Sequence, residues 1–214
     1  MTAANAKYFK GVLSKLKEFG LLLESDPKLP SVCTIITGSP LRGSWWSHPL
    51  AHTIFHVNGQ LEDHPDVLIA KLVASKVTFI HRKLWPEILT IGKARERWQT
   101  ETLSAPAIAL LDMIDAKGCV RTDDLVLVST TSSKKTKPGD IARELERKLL
   151  VKAAQFHTES GAHAKFLETW EHWANRIGFA APSLSVAEAK KKLEVRLRKL
   201  NEEFKATARL PWQA

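Results

Sequence analysis

The 214 residues suffice for one large domain or two small ones. Their 44% apolar content supports a packed core, and no apolar run reaches the ~18–20 residues of a membrane helix. The first residues, Met1-Thr-Ala-Ala-Asn-Ala-Lys7, lack the apolar core of a secretory signal. Cys33 and Cys119 are too few and too far apart for a disulfide framework or a Cys-based metal site, which points to a reducing cytoplasm. Lys and Arg number 32 against 23 acidic residues, a net charge of +9. Such an excess suits an anionic partner, most commonly nucleic acid, although a solvated basic surface would also account for it.

In chain order, Tyr8, Val12, Leu16, Phe19 and Leu23 recur at helical spacing and predict an amphipathic helix over 5–24. Val32-Cys-Thr-Ile-Ile36 lies between Pro30 and Gly38. Those two residues favour a short helix, while the β-branched content leaves a strand as the alternative. Residues 39–49 are a loop by their Pro, Gly and Ser content. A helix over 49–61 follows, with Leu50, Ile54, Phe55 and Val57 on its apolar side. Val67–Val73 and Lys76–Arg82 read as a hairpin, and Leu84–Gln99 as a helix.

A second series starts near Thr102. Ser104 caps a helix carrying Ile108, Leu111 and Ile114, and Gly118 ends it. Thr122-Asp-Asp-Leu125 resembles the start of a short helix, and 129–137 is a polar, low-complexity loop. Asp140–Leu149 is helical. Leu150–Thr158 and Ala162–Trp170 form a hairpin turned by Glu159-Ser160-Gly161. A short helix runs to Asn175, and 180–183 is a linker. The last helix spans Ser185–Lys205, with Ser185 and Glu188 as a capping box.

Helix, hairpin and preceding helices in 104–170 resemble a winged-helix DNA-binding domain, and the order of elements in 5–99 repeats that of 104–178. The resemblance implies an α+β, mainly helical chain. It would have two tandem winged-helix-like units, 1–100 and 101–180, and a basic amphipathic helix with its tail over 181–214. Tandem winged helices also occur in bacterial DNA glycosylases that excise alkylated or crosslinked bases. The layout is similar to theirs, but their catalytic Gln-x-Gln pattern does not occur here.

A winged helix places its third helix in the major groove, with the hairpin touching backbone or minor groove. The residues matching that role are Arg143, Arg147 and Lys148, four or five apart, preceded by Lys134, Lys135 and Lys137. Glu144 and Glu146 lie among them, so a mixed, solvated face is the plain alternative. The hairpin adds His157, Ser160, His163 and Lys165. His157 and His163 would meet across it, leaving an acid–base site with Glu159 as a lesser reading. Arg42 and the adjacent Trp45 and Trp46 are the most unusual local sequence. One Trp is expected to plug an interdomain core and the other to pack on the first helix. The functional reading is a platform for an unpaired base. His48, His52 and His56 share a helical spacing without a zinc-protease pattern, and read as a polar stripe. His81-Arg-Lys83 and Lys190–Lys192, Arg196, Arg198 and Lys199 add basic surface.

No phosphate-cradling loop, dinucleotide fingerprint or nucleophile elbow is present. The expectation is therefore a double-stranded DNA binder in transcription or repair, with no cofactor, no metal and no membrane partner. A repair enzyme using His or Glu between the units is the rival. A protein-interaction module on the same fold is the third reading.

Overall fold

The computed structural model describes residues 3–41, 43–125, 137–158 and 161–213. Arg42, Lys134, Lys135, Glu159 and Ser160 lie outside them. The described chain is α+β and mainly helical, with two small antiparallel sheets. It divides into two compact units, Met1–Ile88 together with Leu184–Ala214, and Leu89–Ser183. The last helix thus belongs with the first unit, where the sequence set it apart.

Unit 1 begins with α1 (Ala3–Phe19), which buries Val12 and Leu16 completely. The helix stops five residues before the expected end. Gly20 takes a left-handed conformation and its N–H returns to the Leu16 carbonyl, leaving Leu21-Leu22-Leu23 free to form β1 (Leu21–Leu23). Next comes α2 (Val32–Thr37), capped by the Ser31 hydroxyl and closed by Gly38 at φ 78°. The helical alternative for this run is therefore the one adopted. Then follow α3 (Ala51–Glu62), β2 (Val67–Ala70) and β3 (Thr78–His81). The sheet runs β1-β3-β2, with Leu21 opposite Ile80 and Val67 opposite His81. Val12, Leu16, Leu22, Ile54, Leu61 and Phe79 fill the core, each worth roughly 1.5–3 kcal/mol of burial.

The helix α4 (Trp85–Lys93) contains the division between the units. One continuous helix was expected to Gln99. Instead Arg95 turns to φ 52° and α5 (Arg97–Thr100) starts afresh, with the Gln99 amide oxygen accepting from the Glu96 N–H at 2.9 Å.

Unit 2 continues with α6 (Ala105–Lys117), capped by Ser104, and β4 (Cys119–Arg121). Thr122–Leu125 does not open a helix. Thr122 instead exchanges hydrogen bonds with Lys165 through its N–H (2.9 Å) and hydroxyl (2.8 Å), and Thr122–Asp124 form a turn. Ile108 stays exposed, because Ala107, Leu110, Leu111 and Ile114 make the buried stripe of α6. After α7 (Pro138–Arg147) come β5 (Lys152–His157), β6 (His163–Glu168) and α8 (Trp170–Arg176). The sheet runs β4-β6-β5, so both units place their first strand against the third.

The chain returns to unit 1 as α9 (Val186–Glu203), with the Ser185–Glu188 capping box in place. Phe204 packs edge-on against Phe19 at 5.6 Å. The following tail is held by Asn201, whose side chain donates to the Ala208 carbonyl (2.9 Å) and accepts from its N–H (3.1 Å). The Arg209 carbonyl then accepts from Ala74 N–H at 2.9 Å, in the segment linking β2 to β3. Among the described residues no helix is long and apolar enough to cross a membrane.

Candidate nucleic-acid interface

In α7 the apolar residues Ile141, Ala142 and Leu145 face the core of unit 2, which leaves Asp140, Arg143 and Arg147 on the exposed side. Pro138 sits in the first turn, and Asp140 complements the helix N-terminus. The two glutamates that suggested a mixed face both turn away from it. Glu144 accepts from the Ser104 N–H (2.7 Å) and hydroxyl (2.8 Å), bracing α6. Glu146 is buried and pairs with Lys165 on β6. Among the described residues Arg143 pairs with Asp140, at 2.9 Å and with both side chains about half exposed, an arrangement worth ~0–1 kcal/mol. Arg147 is exposed and makes no ion pair among the described residues. Lys137 is exposed at the N-cap.

Two residues expected at this face are committed elsewhere. The Lys148 ammonium donates to the Trp98 carbonyl at 2.8 Å, and its own carbonyl accepts from Gln99 at 3.0 Å. Lys165 is held by Glu146, so both cations brace the fold. Behind them Leu149 is fully buried with φ 53°, an uncommon conformation for a branched residue. Its carbonyl accepts from the Trp170 indole N–H at 2.7 Å, and the Trp170 ring lies against Gly92, where a Cβ would approach within 2.3 Å. These contacts fix the angle between α7 and the hairpin.

At the hairpin's far end His157 and His163 are register partners, with ring centroids 4.4 Å apart, as the sequence predicts. Gln155 contacts the His163 Nδ1 at 2.7 Å. Gly161 takes φ 77° in the turn, and Thr158 accepts from the Ala162 N–H through its hydroxyl. Beneath this hairpin, Glu168 is wholly buried, gripped by Arg176 (2.6 and 3.0 Å) and His172 (3.0 Å). The sequence reading missed this cluster. Its i, i+4 and i, i+8 spacing was visible but crosses from strand to helix.

Unit 1 presents a different surface. Trp45 and Trp46 lie in a short 3-10 turn capped by Ser44, and their rings stack at 4.1 Å and 23°. Trp45 is buried in the core of unit 1, 9% exposed. Trp46 does not pack on the first helix. It is 62% exposed and lies 5.7 Å from the ring of Phe55, itself 50% exposed. Phe55 was placed on the apolar side of α3, but Ile54, Val57 and Leu61 form that stripe and leave Phe55 outside it. Burial raises the Glu24 carboxyl above its ordinary range, against opposing pulls from the Trp45 side chain and from Lys71. The Asn58 amide donates to Glu24 at 3.2 Å.

His52 and His56 are exposed on α3. His48 precedes the helix and accepts from the Leu50 N–H through Nδ1 at 3.1 Å. Among the described residues no group of three or more His, Cys, Asp or Glu is placed to hold a metal ion. The remaining basic runs are partly engaged. Lys83 donates to the Lys17 carbonyl and, at 3.3 Å, to that of Glu18, closing the C-terminus of α1. Lys192 pairs with buried Glu87 at 3.2 Å, and Lys190 lies over the Trp212 ring at 5.7 Å.

The family model described as AlkZ related matches residues 7–209. No curated protein and no solved structure gives a match. With nearly its whole length covered by that model, the chain belongs to the AlkZ-related family.

Proposed function

We propose that this chain is a DNA-repair-associated protein that binds duplex DNA, with each unit acting as a winged helix. The observation that carries the reading is the exposed face of α7. Arg143 and Arg147 stand one turn apart there, and both neighbouring glutamates are drawn off into the fold. Support also comes from the repeated strand order of the two sheets and from the family. In this reading α7 enters the major groove, Arg143 exchanges its weak partner Asp140 for phosphate or guanine, and the His157–His163 tip lies along the backbone.

The test is duplex binding by fluorescence anisotropy across a salt series. Neutralising two phosphate contacts by Arg143→Ala with Arg147→Ala should weaken binding at least about tenfold and lower the salt slope by about two. Undetectable binding of the wild type at low salt sinks the proposal.

Family membership favours a second reading, excision of damaged bases. The chain has no Gln-x-Gln pattern, so no catalytic residue carries over from the glycosylases it resembles. Release of free base from an alkylated duplex, followed by chromatography, separates an enzyme from a binder.

A further inference from the structure

Trp46 and Phe55 form an exposed aromatic surface with an unusual foundation. One face of the Trp46 ring is covered by Trp45 at 4.1 Å. Trp45 is itself fixed, buried in the core of unit 1. The uncovered part of Trp46 and the tilted Phe55 ring then meet solvent together. The surroundings are small and polar, with Gly43, Ser44 and Ser47 exposed on the turn and His52 and His56 on the helix. No Lys or Arg occurs anywhere in α3, and its one acidic residue, Glu62, ends it.

Aromatic and, among the described residues named above, uncharged, this surface matches a nucleobase and not a phosphate. Two ring faces ringed by serine, glycine and histidine also fall far short of the ~1,000 Å² that a specific protein interface needs. Any apolar patch has some affinity for apolar partners, but here the chain's net charge of +9 favours a polyanion that carries aromatic groups.

We propose that the Trp46–Phe55 surface is a stacking site for one unpaired base of a DNA strand, with Trp45 as its positioning residue. This rests on the DNA-binding reading above and adds a preference for DNA with an extrahelical or single-stranded base. Stacking is tolerant of base identity, because every base offers a π face. The site therefore recognises that a base is out of the helix, and discriminates little among the four.

The experiment compares a perfect duplex with the same duplex carrying one bulged 2-aminopurine. Wild type is expected to bind the bulged duplex about tenfold more tightly and to quench the 2-aminopurine fluorescence. Trp46→Ala should abolish the preference and the quenching while leaving perfect-duplex affinity within about twofold. Trp46→Phe should restore part of both. Arg143→Ala with Arg147→Ala should weaken both duplexes alike and keep their ratio. Equal binding of the two duplexes by wild type, or a preference unaltered in Trp46→Ala and Phe55→Ala, overturns the stacking site and leaves duplex binding standing. Absence of binding to either DNA at low salt overturns both proposals together.

Discussion

The two units share one order of strands and differ where that order meets solvent. In unit 1 the third helix, α3, exposes His52, Phe55 and His56. In unit 2 the helix before the last two strands, α7, exposes Arg143 and Arg147. The links between the last two strands differ as well. In unit 1 that link folds into a 3-10 turn with Ala74 at φ 51°, and the tail past α9 binds it through the Arg209 carbonyl. In unit 2 Gly161 and Ala162, just before the last strand, are exposed. The same strand order thus carries an exposed aromatic pair in one unit and an exposed arginine pair in the other. Topology fixes which helix is presented, and the side chains opposite the buried stripe decide what it presents.

The largest expected effect tests the frame beneath the charged face. Trp170→Ala removes a buried ring and the donor that holds the strained Leu149 carbonyl, and should cost about 3–5 kcal/mol in a urea titration. A loss below about 1 kcal/mol would mean that the corner between α7 and the hairpin is held by other contacts. In unit 1 the corresponding hold is the tail. Asn201→Ala deletes both hydrogen bonds to Ala208 and should cost roughly 1–2 kcal/mol. It should also speed hydrogen exchange at the Ala74 amide, and unchanged exchange there would separate the tail from the hairpin link.

The smallest effect is electrostatic and sets the aromatic surface apart from the charged one. Burial holds the Glu24 carboxyl above its ordinary range, so the folded state binds that proton more tightly than the unfolded chain does. Its contribution is fully present below the unfolded value of 4.5 and is lost as pH rises through the higher folded one. Glu24→Gln cannot ionise. Its stability relative to wild type should therefore improve from pH 4 to pH 8, measured by thermal melts at each pH. A relative stability that falls over that range would contradict the assignment.

Much of the helical content was legible because its punctuation is chemical. Ser104 and Ser185 cap helices where their hydroxyls predict, and Gly38 and Gly118 end helices as expected. The shortest strands were not legible. Three residues give no period, so Leu21–Leu23 merged with the preceding helix although Gly20 marked its end, and Cys119–Arg121 passed unmarked. Among the candidate site residues, Arg143, Arg147 and the His157–His163 pair stand where spacing put them. Lys148 and Lys165 do not remain free, because a lysine's long stem lets distant carbonyls and carboxylates claim it, and sequence spacing carries no record of those partners. Phe55 escaped for the opposite reason. It neighbours the stripe residue Ile54 on the chain but not on the helix surface.

Unit 1 is built from two separated pieces of chain, with the whole of unit 2 between them. Leu197 and Leu200 of α9 are buried and line the same small internal space as Leu21, Leu22 and Leu23. A chain emerging from the ribosome therefore makes β1 about 160 residues before the start of the helix that covers it. Unit 2 is continuous and can complete its core first, while the side of β1 that α9 covers waits. Synthesis order is thus opposite to folding order, and the N-terminal unit is the one finished last. Nascent chains stalled shortly after residue 183 should accordingly be the ones most readily bound by a holding chaperone.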